Sequence, residues 1–194
     1  MRISEIHPLK PFLPPNAKAL MLGSFPPPKA KWKMDFYYPN FQNDMWRIFG
    51  WVFFGDTDYF VTDDKKRFDQ ERLMAFLNEK GIALSDTAHE IIRLKGNASD
   101  SALKIVKPID LAEILPRIPH CRSIITTGEK ATGTLRSLLP DSVSPPPIGR
   151  FVEIELFDTT YAFYRMPSSS RAYPKPIVEK AKVYGSLFEE IGLL

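Results

Sequence analysis

Apolar and polar positions divide the chain into short buried runs and amphipathic stretches. Residues 19–24 (Ala-Leu-Met-Leu-Gly-Ser) form an apolar run between proline-rich loops, the pattern of a central strand. Met45, Ile48, Phe49, Val52 and Phe53 then recur at helical spacing, with Asn43 or Asp44 placed to cap the helix. A second helix is expected from about residue 64 to 80; it opens beside paired aspartates, buries Leu73, Phe76 and Leu77, and stops at Gly81. Residues 82–87 read as another buried strand, 93–101 as a polar connection, and about 109–115 as a short helix. Residues 123–127 form a further strand, which Gly128 turns into a helix carrying Ala131, Leu135 and Leu138. Residues 151–157 and 160–166 read as paired strands joined at Asp158-Thr159. A last helix is expected from near Pro174, burying Ile177, Ala181, Leu187 and Phe188.

Strands alternating with helices predict an α/β fold, a three-layer α/β/α sandwich with a mainly parallel central sheet. The chain of 194 residues suits one compact core, so residues 1–194 are expected to form a single domain. Right-handed crossovers then gather the strand-to-helix loops on one rim. Those loops run over residues 24–43, 87–101, 128–130 and 167–173, where the unusual polar residues of the chain are concentrated.

Composition narrows the class. Hydrophobic content of 44% with 25% charge belongs to a globular protein. No apolar stretch has the length of a membrane span, and the N-terminus lacks the features of a signal peptide, so no membrane partner and a cytoplasmic location are expected. Cys121, the single cysteine, has no internal disulfide partner and reads as an inert buried thiol. The formal charge of +3 is compatible with nucleic-acid binding without requiring it. His7, His89 and His120 lack metal-ligand spacing, so no metal and no cofactor are expected.

Two loops carry the candidate chemistry. In the first, Tyr37, Tyr38 and Phe41 supply flat apolar faces, and Asn40, Gln42 and Asn43 supply amides. Asn43 is placed either to cap the helix or to hold a water or stabilise a departing group, and the two roles can coexist. Asp44 is a candidate general base or a charge favouring the helix N-terminus. Tyr37 and Tyr38 suit either packing or the site. In the second loop, Ser168, Ser169 and Ser170 allow close backbone approach to a phosphate, with a helix following, and Arg171 adds a positive charge. Facing each other across one crevice, the loops suit a flipped nucleobase and its phosphates.

These residues resemble a known family. Gly23-Ser24-Phe25-Pro26, then Tyr37-Tyr38 and Asn43 ahead of Met45-Trp46, is similar to the first motif of the uracil-DNA glycosylase superfamily, most like its hypoxanthine-DNA (deoxyinosine) glycosylase branch. Arg93 with Asp100-Ser101, the turn Thr127-Gly128-Glu129-Lys130-Ala131, and Met166-Pro167-Ser168-Ser169-Ser170 resemble further motifs in the same order. Pro27, Thr127 and Arg171-Ala172-Tyr173 depart from the family pattern. The resemblance implies a uracil-DNA glycosylase-like fold and a monofunctional, metal-free glycosylase acting as a monomer on damaged DNA. It implies Asn43 as the catalytic amide and Gly23, Ser24, Phe25, Tyr38 and Phe41 as the base pocket. Ser168, Ser169 and Ser170 would clamp phosphates, and Arg171 would neutralise a phosphate or enter the base stack. A non-catalytic nucleic-acid-binding relative on the same scaffold is the alternative; a small-molecule hydrolase using the crevice is a third.

Overall fold

The computed structural model describes residues 3–94 and 102–194. Its first half contains β1 (Glu5–Ile6), β2 (Ala19–Gly23), α1 (Met45–Phe54), α2 (Gln70–Lys80), β3 (Ile82–Asp86) and β4 (Ala88–Arg93). Next come β5 (Leu103–Pro108), α3 (Leu111–Ile114), β6 (Ser123–Thr127) and α4 (Glu129–Arg136). The hairpin β7 (Arg150–Leu156) and β8 (Thr159–Met166) precedes α5 (Ile177–Glu190).

Five strands form the central sheet in the order β3-β2-β6-β8-β7. The first four are parallel, and β7 returns antiparallel at the edge. Phe157 and Asp158, at φ 51° and 57°, make the two-residue hairpin turn whose twist suits that return.

Side chains alternate across the sheet, so each parallel strand feeds two cores. Met21, Ile125 and Tyr164 face the core built by Trp46 and Phe49 of α1, Phe76 of α2 and Phe188 of α5. Leu20, Leu22, Ile124 and Phe163 face the other, with Ile114 of α3 and Leu135 of α4. The expected three layers are therefore present. A second sheet, β1-β4-β5, is antiparallel and packs Ile91 and Leu103 on Phe25.

Several expectations differ from the structure, and the hairpin turns at Phe157-Asp158, one residue before the expected Asp158-Thr159. Helix α2 starts at Gln70, not near residue 64, because Asp64 closes a turn with Thr62 and Lys66 while Asp69 accepts the Arg72 N–H as the cap. The polar connection begins inside β4 and leads to β5; β5 alternates weakly because much of it is exposed. Leu138 lies beyond the end of α4. Helix α5 begins at Ile177, past Pro174. Asp100 and Ser101 lie outside the described residues. No helix among the described residues is long and apolar enough to cross a membrane.

Candidate active site

Strand register decides what meets on the rim. Gly23 pairs with Asp86, Leu22 with Thr126, and Thr127 with Met166, so β2, β3, β6 and β8 end level with one another. Loops leaving carboxyl ends of parallel strands surround a common crevice. Here that crevice is a cleft of about 1450 Å³. Gly23, Ser24, Phe25, Tyr38 and Asn43 line it, together with Ser168, Ser169, Ser170 and Arg171. Tyr37, Asn40, Gln42, Asp86, Thr127 and Gly128 are also among the lining residues.

Each predicted residue has a definite setting. Tyr37 turns into the core, where its hydroxyl donates to Lys10 O (3.1 Å) and its carbonyl accepts Trp46 Nε1–H (3.0 Å). Burial, and next the Asp86 charge, raise its phenol far above the usual range, so it stays neutral. Tyr38 turns the other way, at φ 52°, a conformation that costs a tyrosine energy. Its hydroxyl lies 2.8 Å from Thr127 Oγ1, and its ring stands edge-on to Trp46. Phe41 does not line the cleft: it packs on Phe68, beneath the Arg47 guanidinium at 4.4 Å. Phe25 borders the cleft while packing on the second sheet.

Asn43 takes the helix-end position foreseen for it and also reaches the cleft. Its Oδ1 accepts the Met45 N–H at 2.9 Å, a local cap on α1, while the side chain borders the cleft. Because that N–H requires an acceptor, the amide orientation is settled, and the Nδ2 donors are what remains for the cleft. Asp44 takes no place there. Its carboxylate is 3% exposed and bonded to Arg171 Nε (3.0 Å) and Lys180 Nζ (3.3 Å). A carboxylate held by two cations outside the cleft does not suit a general base.

The serine loop is anchored from behind by its carbonyls. Pro167 O accepts Tyr184 OH (2.8 Å), Ser169 O accepts Asp44 N–H (3.0 Å), and Ser170 O accepts Lys180 Nζ (2.8 Å). In a trans peptide the N–H opposes the C=O, so these anchors turn the Ser168 and Arg171 N–H groups away from the core. Ser168 Oγ accepts the Ser170 N–H, and Ser170 Oγ accepts the Ala172 N–H. The expected helix N-terminus is not next in line, since α5 starts only at Ile177. Instead, Gly128 at φ 100° brings the turn into α4 against Ser168, and its N–H donates to Met166 O.

Three residues of this region escaped sequence reading. Lys180 is fully buried although it lies among the apolar positions Ile177, Ala181 and Tyr184; a cation on that stripe was the available signal. Asp86 ends a buried strand at the rim, which its position alone suggests. His7 reaches Asp86 with Nε2 at 2.8 Å, and nothing local in the sequence announces it. Arg93 of the mid-chain motif pairs with Glu5 through two bonds and donates to Pro26 O, holding the first loop.

Gly23 is demanded by close approach. A Cβ there collides with Asp86 Oδ1 and comes within 3.3 Å of the Tyr38 hydroxyl. Gly23→Ala is expected to keep the fold but displace the Asp86 carboxylate, at a cost of about 1–3 kcal/mol in a urea titration. Unchanged stability would show that the floor of the cleft yields freely.

The chain is an α/β protein of uracil-DNA glycosylase-like fold. Among the solved structures to which it is similar is the solution NMR structure of "a putative Uracil DNA glycosylase from Methanosarcina acetivorans", 22% identical, covering 94% of this chain and 96% of that one with a TM-score of 0.63. No protein-family model matches the chain, and no curated protein matches its sequence.

Proposed function

We propose that the protein is a DNA glycosylase that excises a deaminated base, hypoxanthine or uracil, from DNA and leaves an abasic site. The observation that carries this reading is the convergence of Asn43 and the serine loop on one cleft. The ordered motifs and the shared fold support it.

In this reading the lesion leaves the helix and enters the cleft, at a cost smallest where pairing is already weakened. Ser168 and Arg171 N–H groups, the serine hydroxyls and the exposed part of Arg171 meet the flanking phosphates. The N-glycosidic bond then breaks with its electron pair going to the base, as an oxocarbenium-like sugar forms. Water adds to C1′ and loses a proton, and the base is released protonated. Asn43 Nδ2–H stabilises the charge developing on the departing base, a contact most valuable in the transition state. Of its two possible roles, the bond from Met45 to Oδ1 favours this one over holding the water.

Purified protein incubated with oligonucleotides carrying inosine, uracil or xanthine, followed by cleavage of abasic sites, tests the reading. Product from inosine or uracil is expected, with binding that weakens as salt rises. Binding without base release would support a non-catalytic relative, and neither binding nor release would end the DNA reading.

A further inference from the structure

The floor of the cleft contains a His–Asp pair that none of the motifs includes. Asp86 is 8% exposed, lines the cleft and follows directly from the parallel register that sets it beside Gly23. Its Oδ2 meets His7 Nε2 at 2.8 Å, and its Oδ1 occupies the space a Gly23 side chain would need. The two residues lie 79 positions apart, and His7 comes from a segment belonging to none of the rim loops.

That segment is tied down on both sides of the histidine. β1 pairs with β4, the His7 N–H donates to His89 O (2.8 Å), and Phe12 exchanges backbone bonds with Leu84 of β3. The imidazole packs edge-on to Phe25 at 5.1 Å and lies near-parallel to Tyr37. Nδ1 lies 3.1 Å from the Leu9 N and 2.9 Å from Leu9 O, so without a proton it accepts from the former and with one it donates to the latter. In both states Nε2–H points at the carboxylate, which only accepts.

We propose that His7 is a positioning residue for the glycosylase site: through Nε2–H it fixes the Asp86 carboxylate as an oriented acceptor at the floor of the cleft. The inference rests on the proposed function for its consequence in catalysis, but the pair itself is testable without activity. A carboxylate free to rotate would sample orientations and recruit water; one held by a buried imidazole, itself held by backbone and two rings, is preorganised for what enters the cleft. His7 touches no base in this arrangement and acts through Asp86.

A double-mutant cycle separates positioning from packing. His7→Phe keeps a ring between Phe25 and Tyr37 and removes the donor, and His7→Gln keeps an amide N–H near the Nε2 position. Single-turnover base release is expected to fall about tenfold in His7→Phe and to recover at least half of that loss in His7→Gln. In an Asp86→Ala background His7→Phe is expected to add little, because the partner is gone. An equal loss in both backgrounds, or no rescue by glutamine, overturns the proposal. Imidazole 15N shifts give the independent readout: the Nε2–H signature of His7 should change in Asp86→Ala. Shifts unaffected by that substitution overturn the pair whatever the activity, whereas a wild-type protein that releases no base overturns only the glycosylase reading.

Discussion

Asn43→Asp is expected to lower single-turnover base release by at least a hundredfold while leaving the melting temperature close to that of the wild type. Aspartate preserves the acceptor that receives the Met45 N–H and adds a negative charge favourable at the start of α1. What it removes is the Nδ2–H pair facing the cleft. Losing one preorganised donor to developing negative charge costs about 10²–10³ in rate elsewhere, and a carboxylate repelling the departing base deepens the loss. Asn43→Ala removes cap and donor together, so it should lose activity to a similar extent and also about 1 kcal/mol of stability. The comparison separates the two roles of one side chain. If Asn43→Asp retained or raised activity, the residue would serve the attacking water and the donor role would be wrong.

Lys180→Met is expected to give the largest loss of stability of any single change near the site. Its ammonium is fully buried, donates to Ser170 O at 2.8 Å and lies 3.3 Å from Asp44 Oδ2. Methionine fills similar space, but it leaves Asp44 buried with Arg171 alone, whose side chain is 51% exposed. Removing one partner of a buried pair costs about 3–5 kcal/mol, because the other charge stays desolvated. For a chain of this length that is a fall in melting temperature of roughly 6–20 °C. Adding Asp44→Asn should restore part of the stability by removing the orphaned charge. Activity should not return with it, since Ser170 O still lacks its anchor. A Lys180→Met protein melting within about 2 °C of wild type would mean that water or Arg171 compensates the carboxylate.

Much of the architecture was legible along the chain because burial imposes a period. β2 reads as a continuous apolar run, and β3 and β6 carry apolar cores, since parallel strands covered on both faces bury every side chain. The amphipathic stripes of α1 and α5 were visible for the same reason. β4 and β5 were not, because an exposed antiparallel hairpin needs little apolar periodicity. The paired aspartates before α2 misled because a turn and a helix cap use the same side-chain chemistry, and only the register of the backbone distinguishes them.

The site divides along a similar line. Asn43, Tyr38 and the three serines were found because each belongs to a compact motif between a strand and a helix. Phe41 belongs to the same motif, yet it turns to Phe68 and Arg47: neighbours in sequence do not share a direction once the chain leaves regular structure. Asp44 looked like a candidate base until Arg171 and Lys180, the latter 136 positions away, were seen to hold it outside the cleft.

The sequence by itself determined which segments are buried, in what order strands and helices follow, and therefore that the rim loops share one edge of a parallel sheet. Those properties depend on local composition and period. Only the tertiary structure decided that Lys180 anchors the serine loop, that His7 holds Asp86, and that Gly23 must have no side chain. Such contacts join residues far apart in the chain, and their energies arise when folding removes both partners from water together.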